Sequence, residues 1–376
     1  MSSHSRVTRT GLRLALGLLA VPTAAASAQS VFDRLELHGS LNAAYGRADT
    51  LGVFGVPQQG TSDYRVFTLQ GRFSLSDRDQ IVAQVFNRRL GTSPLAGAIS
   101  DVTMQWAYWQ HKEGDLTVKV GRNPLPRGLS NEVRYIGTVL PFFRPPLELT
   151  LEAFDAIDGA VASYRQDLGA GITLEQYAFF GGSEARSLVT TSTGAGVRMA
   201  RTENMFGGQS YLTFPVAGLK LGAYGARYGY VQSTGRGYRT NYVLSAESSI
   251  DRLKVQSEHS RITGPGPSND SRMTYVQGTV RVVDHFSVAG QHSRTDRRLY
   301  FANPSLDRII PEVRTNGVSG IVALPANTAL KLEHHWRKGW SFDTPTSPVA
   351  SQTATSVTLS PKRDARYFLV SLATSF

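Results

Sequence analysis

The sequence predicts an all-β protein: a transmembrane antiparallel up-and-down β-barrel of about 16 strands. Three observations support this fold class. The chain opens with an export signal, its remainder repeats segments of about ten residues with alternating polarity, and its last alternating segment ends at Phe376. Alternating strands joined as antiparallel hairpins are the pattern of bacterial transmembrane barrels.

The first 28 residues have the three parts of a secretory signal peptide. Arginines give a positive start, Leu14–Val21 is an apolar run, and Ala26-Ser27-Ala28 supplies small residues for cleavage. The apolar run is too short for a membrane-spanning helix, which needs about 20 residues. We therefore expect residues 1–28 to be removed and residues 29–376 to form a barrel in the outer membrane of a Gram-negative-type bacterium.

Composition excludes several classes of protein. The mean hydropathy of −0.20 excludes a helical membrane protein, but a barrel hides its apolar residues among alternating polar ones. The absence of cysteine in an exported chain excludes disulfides and thiolate chemistry. The net charge is +11 and only seven of the 40 basic residues are lysine, a bias that fits either a GC-rich genome or surface loops that meet lipopolysaccharide phosphates. Nucleic acid is not an expected partner of an exported barrel.

The alternation is clearest in the first segment, where Leu35, Leu37 and Leu41 share one face and Glu36 and His38 share the other. Short polar turns join such segments in pairs. We expect sixteen strands, near 33–46, 63–75, 79–90, 100–112, 115–122, 151–165, 170–181, 203–216, 218–231, 238–250, 252–263, 271–283, 285–296, 313–324, 328–338 and 362–376. Fourteen or eighteen strands are the alternatives, because 151–165 and 182–207 are ambiguous.

The last segment is the most specific single feature of the sequence. Phe368, Val370, Leu372 and Phe376 lie on one face of an alternating strand that ends at an aromatic residue. This ending resembles the signal that the barrel assembly machinery reads, so we expect that machinery to recognise Phe376. The alternative, a terminal strand of a soluble β-sandwich, is disfavoured by the signal peptide.

Residues 121–150 interrupt the alternation with a long segment rich in Pro, Gly and aromatic residues. A loop of this length is usually functional or disordered, and its Pro, Phe and Tyr content argues against disorder. Its motifs are Gly121-Arg122, Pro126-Arg127-Gly128, Glu132-Val133-Arg134, Pro141-Phe142 and Pro145-Pro146, followed by Asp158-Gly159. In these motifs the chain resembles porins of the broad phosphate-selective porin O and P-like group.

The resemblance implies a barrel of about sixteen strands, a homotrimer, and a loop folded into the lumen as a constriction. Phosphate-selective members concentrate lysines in the pore, whereas the lumen lysines expected here are only Lys119, Lys220, Lys254 and Lys331. Phosphate is therefore not the expected substrate, while the class of channel is unaffected.

Charged side chains are the candidate functional residues, and no catalytic group is expected. In the constriction we expect Arg122, Arg127, Glu132, Arg134, Arg144 and Glu148. At lumen-facing strand positions we expect Arg72, Lys119, Arg239, Lys254, Arg281, Lys331 and Arg337. Cations at the narrowest point would select anions electrostatically. The alternative is that they brace the wall by pairing with lumen acids, which are Glu175, Glu247, Glu258 and Glu333.

The sequence therefore predicts an outer-membrane porin, a passive diffusion channel for small hydrophilic solutes with a mild anion preference. A non-conducting structural or adhesive barrel is the first alternative, and an outer-membrane enzyme is the second. Enzymatic signals are weak, since adjacent His334 and His335 on a strand point to opposite faces and do not chelate one metal ion. No cofactor is expected. The expected partners are hydrophilic or anionic solutes, lipopolysaccharide, the barrel assembly machinery and further copies of the chain.

Overall fold

The computed structural model of the chain is built almost entirely of β-strands. It describes residues 31–93, 101–146, 155–191, 194–232, 235–264, 270–344 and 346–376. No helix in these ranges has the length and hydropathy to cross a bilayer.

The strands are β1 (Leu35–Ala48), β2 (Thr61–Ser74), β3 (Asp79–Leu90), β4 (Thr103–Glu113), β5 (Leu116–Pro124), β6 (Ala156–Gly169), β7 (Ile172–Thr191), β8 (Gly194–Thr213), β9 (Lys220–Gln232), β10 (Gly235–Ile250), β11 (Leu253–Thr263), β12 (Ser271–Val283), β13 (Phe286–Leu299), β14 (Arg308–Leu324), β15 (Thr328–Gly339), β16 (Val349–Gln352), β17 (Val357–Leu359) and β18 (Arg363–Ser375). All of them except β16 and β17 belong to one closed antiparallel barrel, which confirms the predicted sixteen strands. Strand β1 pairs with β2 on one side and with β18 on the other, and this second pairing closes the sheet.

Two ambiguous segments of the sequence are settled by the pairing. Residues 182–207 add no strand, because they belong to the ends of β7 and β8, which are 20 residues long each and pair as far as Thr191 and Gly194. Residues 151–165 contribute β6 from Ala156 onward, and residues 151–154 lie outside the described ranges. The small sheet of β16 and β17, in the connection from β15 to β18, was not predicted.

The two faces of the barrel wall differ in polarity, as strand β15 shows. Lys331, Glu333 and His335 are 0%, 1% and 5% exposed, whereas Leu330 and Leu332 are 41% and 62% exposed. Residues directly opposite these positions on β14 and β18 face the same side of the wall as their partners on β15. On this strand the enclosed face is therefore polar and the exposed face is apolar, and the apolar exposed face is unfavourable in water and suits lipid. Apolar side chains also occur on the enclosed face of neighbouring strands, such as Leu369, which pairs with Glu333 and is 4% exposed.

The two ends of the barrel also differ. At one end the connections are short: residues 114–115 join β4 to β5, and residues 251–252 join β10 to β11. At the other end residues 125–155 join β5 to β6, and residues 340–362 separate β15 from β18. We call these the short-turn end and the long-loop end. In bacterial outer-membrane barrels short turns face the periplasm and long loops face outward.

The seam of the barrel joins the first strand to the last residue of the chain. The backbone N–H of Gly39 donates to the carbonyl of Phe376 at 3.0 Å, and the N–H of Phe376 donates back to the carbonyl of Gly39 at 3.1 Å. The Phe376 ring lies over Gly39 so closely that a Cβ atom at position 39 would overlap the ring. A side chain at position 39 would therefore displace the Phe376 ring from its place over the seam.

We predict that Gly39→Val weakens closure of the barrel, because the new side chain displaces the Phe376 ring from the seam. Because the ring is exposed and can move, we expect a cost below the about 1–3 kcal/mol of overpacking a core. The measurement is the fraction of refolded protein that keeps the compact, heat-modifiable mobility in cold SDS electrophoresis. Gly278→Val is the matched control, since no described atom lies within 4 Å of a Cβ built at that outward position of β12. Equal refolding of the two variants contradicts the seam argument.

Candidate functional site

The loop that follows β5 lies inside the barrel and is the candidate functional site. Strand β5 ends at Pro124, and residues 125–146 form successive turns without strand pairing. We call residues 125–146 the inward loop. Leu125 starts it as a fully buried side chain among Ile157, Phe179 and Met205. This apolar contact directs the chain away from the wall and into the lumen.

The first anchor of the inward loop lies on β8 and β11. The N–H of Gly128 donates to Gln209 Oε1 at 2.8 Å, and the hydroxyl of Tyr211 donates to the Gly128 carbonyl at 2.6 Å. The N–H of the next residue, Leu129, donates to Glu258 Oε1 at 2.8 Å. Because loop backbone groups lack strand partners, these side chains provide the hydrogen bonds that buried N–H and C=O groups require.

Glu258 is the centre of this first anchor. Besides the Leu129 amide, its carboxylate accepts hydrogen bonds from Ser245 Oγ at 2.6 Å and from Tyr275 Oη at 2.9 Å. Gly128 has φ +65° and approaches the carboxylate so closely that a Cβ atom there would overlap it. The site therefore needs glycine both for the left-handed backbone and for the space.

The second anchor lies on β15, on a distant part of the wall. Lys331 Nζ donates to the Gly137 carbonyl at 2.5 Å and to the Phe142 carbonyl at 3.3 Å. The N–H of Phe143 donates to Glu333 Oε1 at 2.6 Å. Lys331 and Glu333, two residues apart on one strand, thus provide a donor for two loop carbonyls and an acceptor for one loop amide. Fully buried charges are tolerated only with such partners.

The second anchor also involves the first and last strands of the barrel. Three further hydrogen bonds connect the loop with β1 and β18: Ser40 Oγ to the Tyr135 carbonyl at 3.2 Å, Asn42 Nδ2 to the Phe143 carbonyl at 3.2 Å, and Thr138 Oγ1 to Ser375 Oγ at 3.0 Å. The two anchors therefore lie on different sides of the closed strand order, with β12 to β14 between β11 and β15. The inward loop crosses the lumen and narrows it.

Aromatic packing supports the second anchor. His335 Nε2 lies 3.0 Å from Glu333 Oε2, and its ring stacks on Tyr367 with centroids 4.5 Å apart and planes at 6°. On the loop side the Phe142 ring lies 5.5 Å from the same imidazole. His334 points to the outer face, where its ring lies 4.5 Å from that of Trp336. The two histidines thus lie on opposite faces, as expected of neighbours on a strand.

The structure divides the predicted constriction residues into buried and pore-facing groups. Arg127 and Arg134 are each only 4% exposed. Arg134 donates to Asn131 Oδ1 at 3.1 Å within the loop. Arg144 lies partly buried with its guanidinium 5.2 Å from the Tyr64 ring centroid, whereas Glu132 is exposed to the lumen. The two buried arginines therefore belong to the interior of the loop and are not exposed to the lumen.

A further predicted constriction residue lies outside the inward loop. Arg122 belongs to β5 and points to the outer face, where Nη1 lies 2.8 Å from Asp158 Oδ2. It lies three positions from Lys119 on the same strand, so the alternation places the two side chains on opposite faces. The correction is that Arg122 does not line the pore. Glu148 lies outside the described residues.

Several predicted pore-lining cations are paired with carboxylates near the short-turn end. Arg72 Nη1 lies 3.3 Å from Glu36 Oε2, and Lys254 Nζ lies 3.1 Å from Glu247 Oε2. Arg281 shares the inward parity of β12 and is exposed, with no ion pair among the described residues. Partly exposed pairs of this kind contribute little to stability, so the side chains remain able to interact with ions in the lumen.

The other predicted pore-lining cations contact aromatic rings or are buried. Lys119 Nζ lies 5.3 Å from the Tyr108 ring centroid, and the Arg239 guanidinium lies 4.3 Å from that of Tyr230. Arg337 is buried behind the second anchor. Such contacts stabilise a cation without neutralising it. Lys119 and Arg239 therefore keep their charge on the lumen side.

Sequence reasoning missed the uncharged residues of the two anchors. They are Ser40, Asn42, Thr138, Gln209, Tyr211, Ser245, Tyr275 and Ser375. Those that belong to strands lie at inward-facing positions, which the alternation of the sequence predicts. Many other polar residues also lie at inward-facing positions. Which of them meets the loop depends on contacts between residues far apart in the chain.

We predict that Lys331→Met releases the second anchor. The change leaves two loop carbonyls without a donor and Glu333 without a nearby cation, and loss of one partner of a buried ionic contact costs about 3–5 kcal/mol. The expected result is a larger and noisier single-channel conductance in planar bilayers. Lys112→Met, at an exposed position beside the β4–β5 turn, is the control. Wild-type conductance and noise in Lys331→Met argue against an anchoring role.

Comparison with known proteins supports the fold at low sequence identity. No family model matches the chain, and no curated protein matches its sequence. The outer membrane channel DcaP of Acinetobacter baumannii has a TM-score of 0.57 at 11% identity, covering 91% of this chain and 97% of that one. An anion-selective porin from Comamonas acidovorans has a TM-score of 0.56 at 12% identity, covering 91% and 99%. OmpT in its trimer form, an outer membrane protein of Vibrio cholerae, has a TM-score of 0.54 at 10% identity with the same coverage. The chain therefore has the fold of porin-like outer-membrane barrels.

Proposed function

We propose that the protein is an outer-membrane porin, a passive diffusion channel for small hydrophilic solutes with a mild preference for anions. The observation that supports this most directly is the inward loop, hydrogen-bonded at two separated places across the lumen of a sixteen-stranded barrel. Barrels of about 16 strands leave an aqueous lumen, whereas about eight strands are filled by side chains. A loop fixed across such a lumen limits the size of the solutes that pass.

The proposal includes location and assembly. The apolar outer surface suits a membrane, and the signal at residues 1–28 directs export, so we place the barrel in the outer membrane after cleavage near Ala28. Phe376 is 70% exposed at the outer face of the last strand, where the barrel assembly machinery has access to it. We also propose a homotrimer, by analogy with the trimer form of OmpT.

The distribution of charge favours a mild anion preference. The inward carboxylates Glu36, Glu175 and Glu247 each lie within 4 Å of a cationic side chain. Lys119 has no ion pair among the described residues, so its charge is not offset in the same way. Glu132 on the loop opposes this positive potential, which keeps the preference small. The closer relationship to the phosphate-selective porin group remains a prediction.

We expect the purified, refolded wild-type protein to give stepwise conductance in a planar bilayer. The reason is that two fixed anchors narrow the lumen while leaving inward charges such as Lys119 and Glu132 accessible to ions. A reversal potential of the anion-selective sign in a salt gradient would accompany the steps. Pure, folded protein without any steps indicates a structural or adhesive barrel instead.

A second expected outcome concerns Lys119 and Arg122, which lie on opposite faces of β5. Lys119→Gln lowers the anion permeability by roughly a factor of two, since a unit charge about 10 Å from a passing ion in water contributes about 0.4 kcal/mol. The reversal potential is measured at low ionic strength, where screening is weak.

Arg122→Gln is the control for this experiment, because it removes the same charge from the outer face. Its reversal potential stays at the wild-type value. A shift as large as that of Lys119→Gln contradicts the assignment of the two faces.

A further inference from the structure

A cluster of basic side chains lies on the outer face of the barrel toward its long-loop end. The side chains of Arg294 on β13, Arg314 on β14 and Lys338 on β15 point outward from their strands, and Lys362, just before β18, lies close to them. We call these four residues the outer cation cluster. None of them faces the lumen, so the cluster does not contribute to the channel.

The strand register places like charges directly opposite one another in this cluster. Arg294 pairs with Arg314 across β13 and β14, and Arg314 pairs with Lys338 across β14 and β15. Side chains at directly opposite positions are about 4.5–5.5 Å apart at Cβ, and like charges there are destabilising. The fold gains nothing from this arrangement, so a ligand that neutralises it would offset the repulsion.

The acids near the outer cation cluster neutralise it only in part. Arg294 Nε lies 2.7 Å from Asp296 Oδ1, and Lys338 Nζ lies 3.4 Å from Asp364 Oδ2 with both side chains exposed. Exposed pairs of this kind contribute little to stability. Arg314, between the two, has no ion pair with a described residue.

Lys362 lies close to the other three cations of the cluster. Partial burial, followed by the positive charges of Arg314, Arg294 and Lys338, lowers the pKa of the Lys362 ammonium group. The same residue lies 5.0 Å from the Trp340 ring centroid. Four cations therefore share one small area of the outer surface.

The outer surface below the cluster changes from polar to apolar. On each of the three strands, the outward residue two positions from the cluster toward the short-turn end is His292, Asn316 or Trp336. Tryptophan is typical of a membrane interface. Four residues below the cluster, about 13 Å along the strands, Gly290 pairs with Gly278 on β12. The cluster thus lies just outside the apolar belt, at the level of lipid headgroups.

The glycine pair forms a shallow depression in the apolar belt. Gly278 and Gly290 are adjacent on the outer face, and no described atom lies within 4 Å of a Cβ built at either. Val288 and Leu332 continue the apolar surface below. An acyl chain lying there would contact backbone and branched side chains.

We propose that the outer cation cluster binds the phosphates of lipid A, the phosphorylated glycolipid that anchors lipopolysaccharide, and that the depression at Gly278 and Gly290 receives one of its acyl chains. This inference rests on the proposed outer-membrane location. Arginine and lysine donate charge-assisted hydrogen bonds to phosphate oxygens, and the planar guanidinium of Arg314 matches two of them. The two phosphates of a bisphosphorylated headgroup can contact several of these cations at the same time, whereas a lipid with a single phosphate contacts fewer.

The test is the binding of fluorescent bisphosphoryl lipid A to the folded barrel in detergent with EDTA, which removes bridging divalent cations. The double variant Arg314→Gln/Lys338→Gln is expected to bind at least about tenfold more weakly, since it removes two charge-assisted hydrogen-bond donors to the phosphates. Lys254→Gln/Arg281→Gln removes two cations from the lumen face and is the matched control, with wild-type affinity expected. Wild-type protein is also expected to bind bisphosphoryl lipid A more tightly than its monophosphoryl form or phosphatidylglycerol.

The proposal is overturned if the outer double variant keeps wild-type affinity, if the lumen control loses as much, or if phosphatidylglycerol competes equally with lipid A. Failure of the channel hypothesis is detected separately. Conductance recorded in phosphatidylcholine bilayers without lipid A tests the pore alone, and the outer double variant is expected to conduct like the wild type there.

Discussion

Satisfaction of backbone hydrogen bonds inside a membrane is the constraint on which the rest of the structure depends. Lipid offers no partners to N–H and C=O groups, so a sheet in lipid has to close. Here closure occurs between β1 and β18. Once the register is fixed, every side chain has an assigned face, and a slip of one residue would exchange Lys331 and Glu333 with Leu330 and Leu332. The polar lumen and the apolar belt follow from the same pairing.

The same constraint explains why so many charges of the lumen serve the loop. A loop that leaves the wall takes its backbone groups away from strand partners, and those groups still need donors and acceptors. Lys331 supplies the donor and Glu333 and Glu258 the acceptors. A charged residue facing the lumen is therefore not by itself a sign of solute selection. The exposure of the side chain distinguishes a charge that faces the lumen from one that holds the loop. Glu132 is exposed, whereas Arg134, two residues later, is buried.

Strand number and the face of each strand residue were predictable because both depend on an alternation between neighbours in sequence. The position of Arg122 was predictable on the same ground from its distance to Lys119, yet the motif around it suggested the loop instead. The burial of Arg127 was not predictable. It depends on the docking of the loop against strand residues far along the chain, as the hydrogen bond between Gly128 and Gln209, 81 residues apart, shows. No local pattern encodes such a contact.

The attachment of the inward loop to β1 and β18 has a consequence for biogenesis. Ser40 and Asn42 belong to the first strand, and Ser375 is the penultimate residue of the chain. These partners come together only when the two ends of the polypeptide meet. The full set of hydrogen bonds that holds the loop therefore exists only in the closed barrel. Complete attachment of the loop is in this way coupled to completion of the wall.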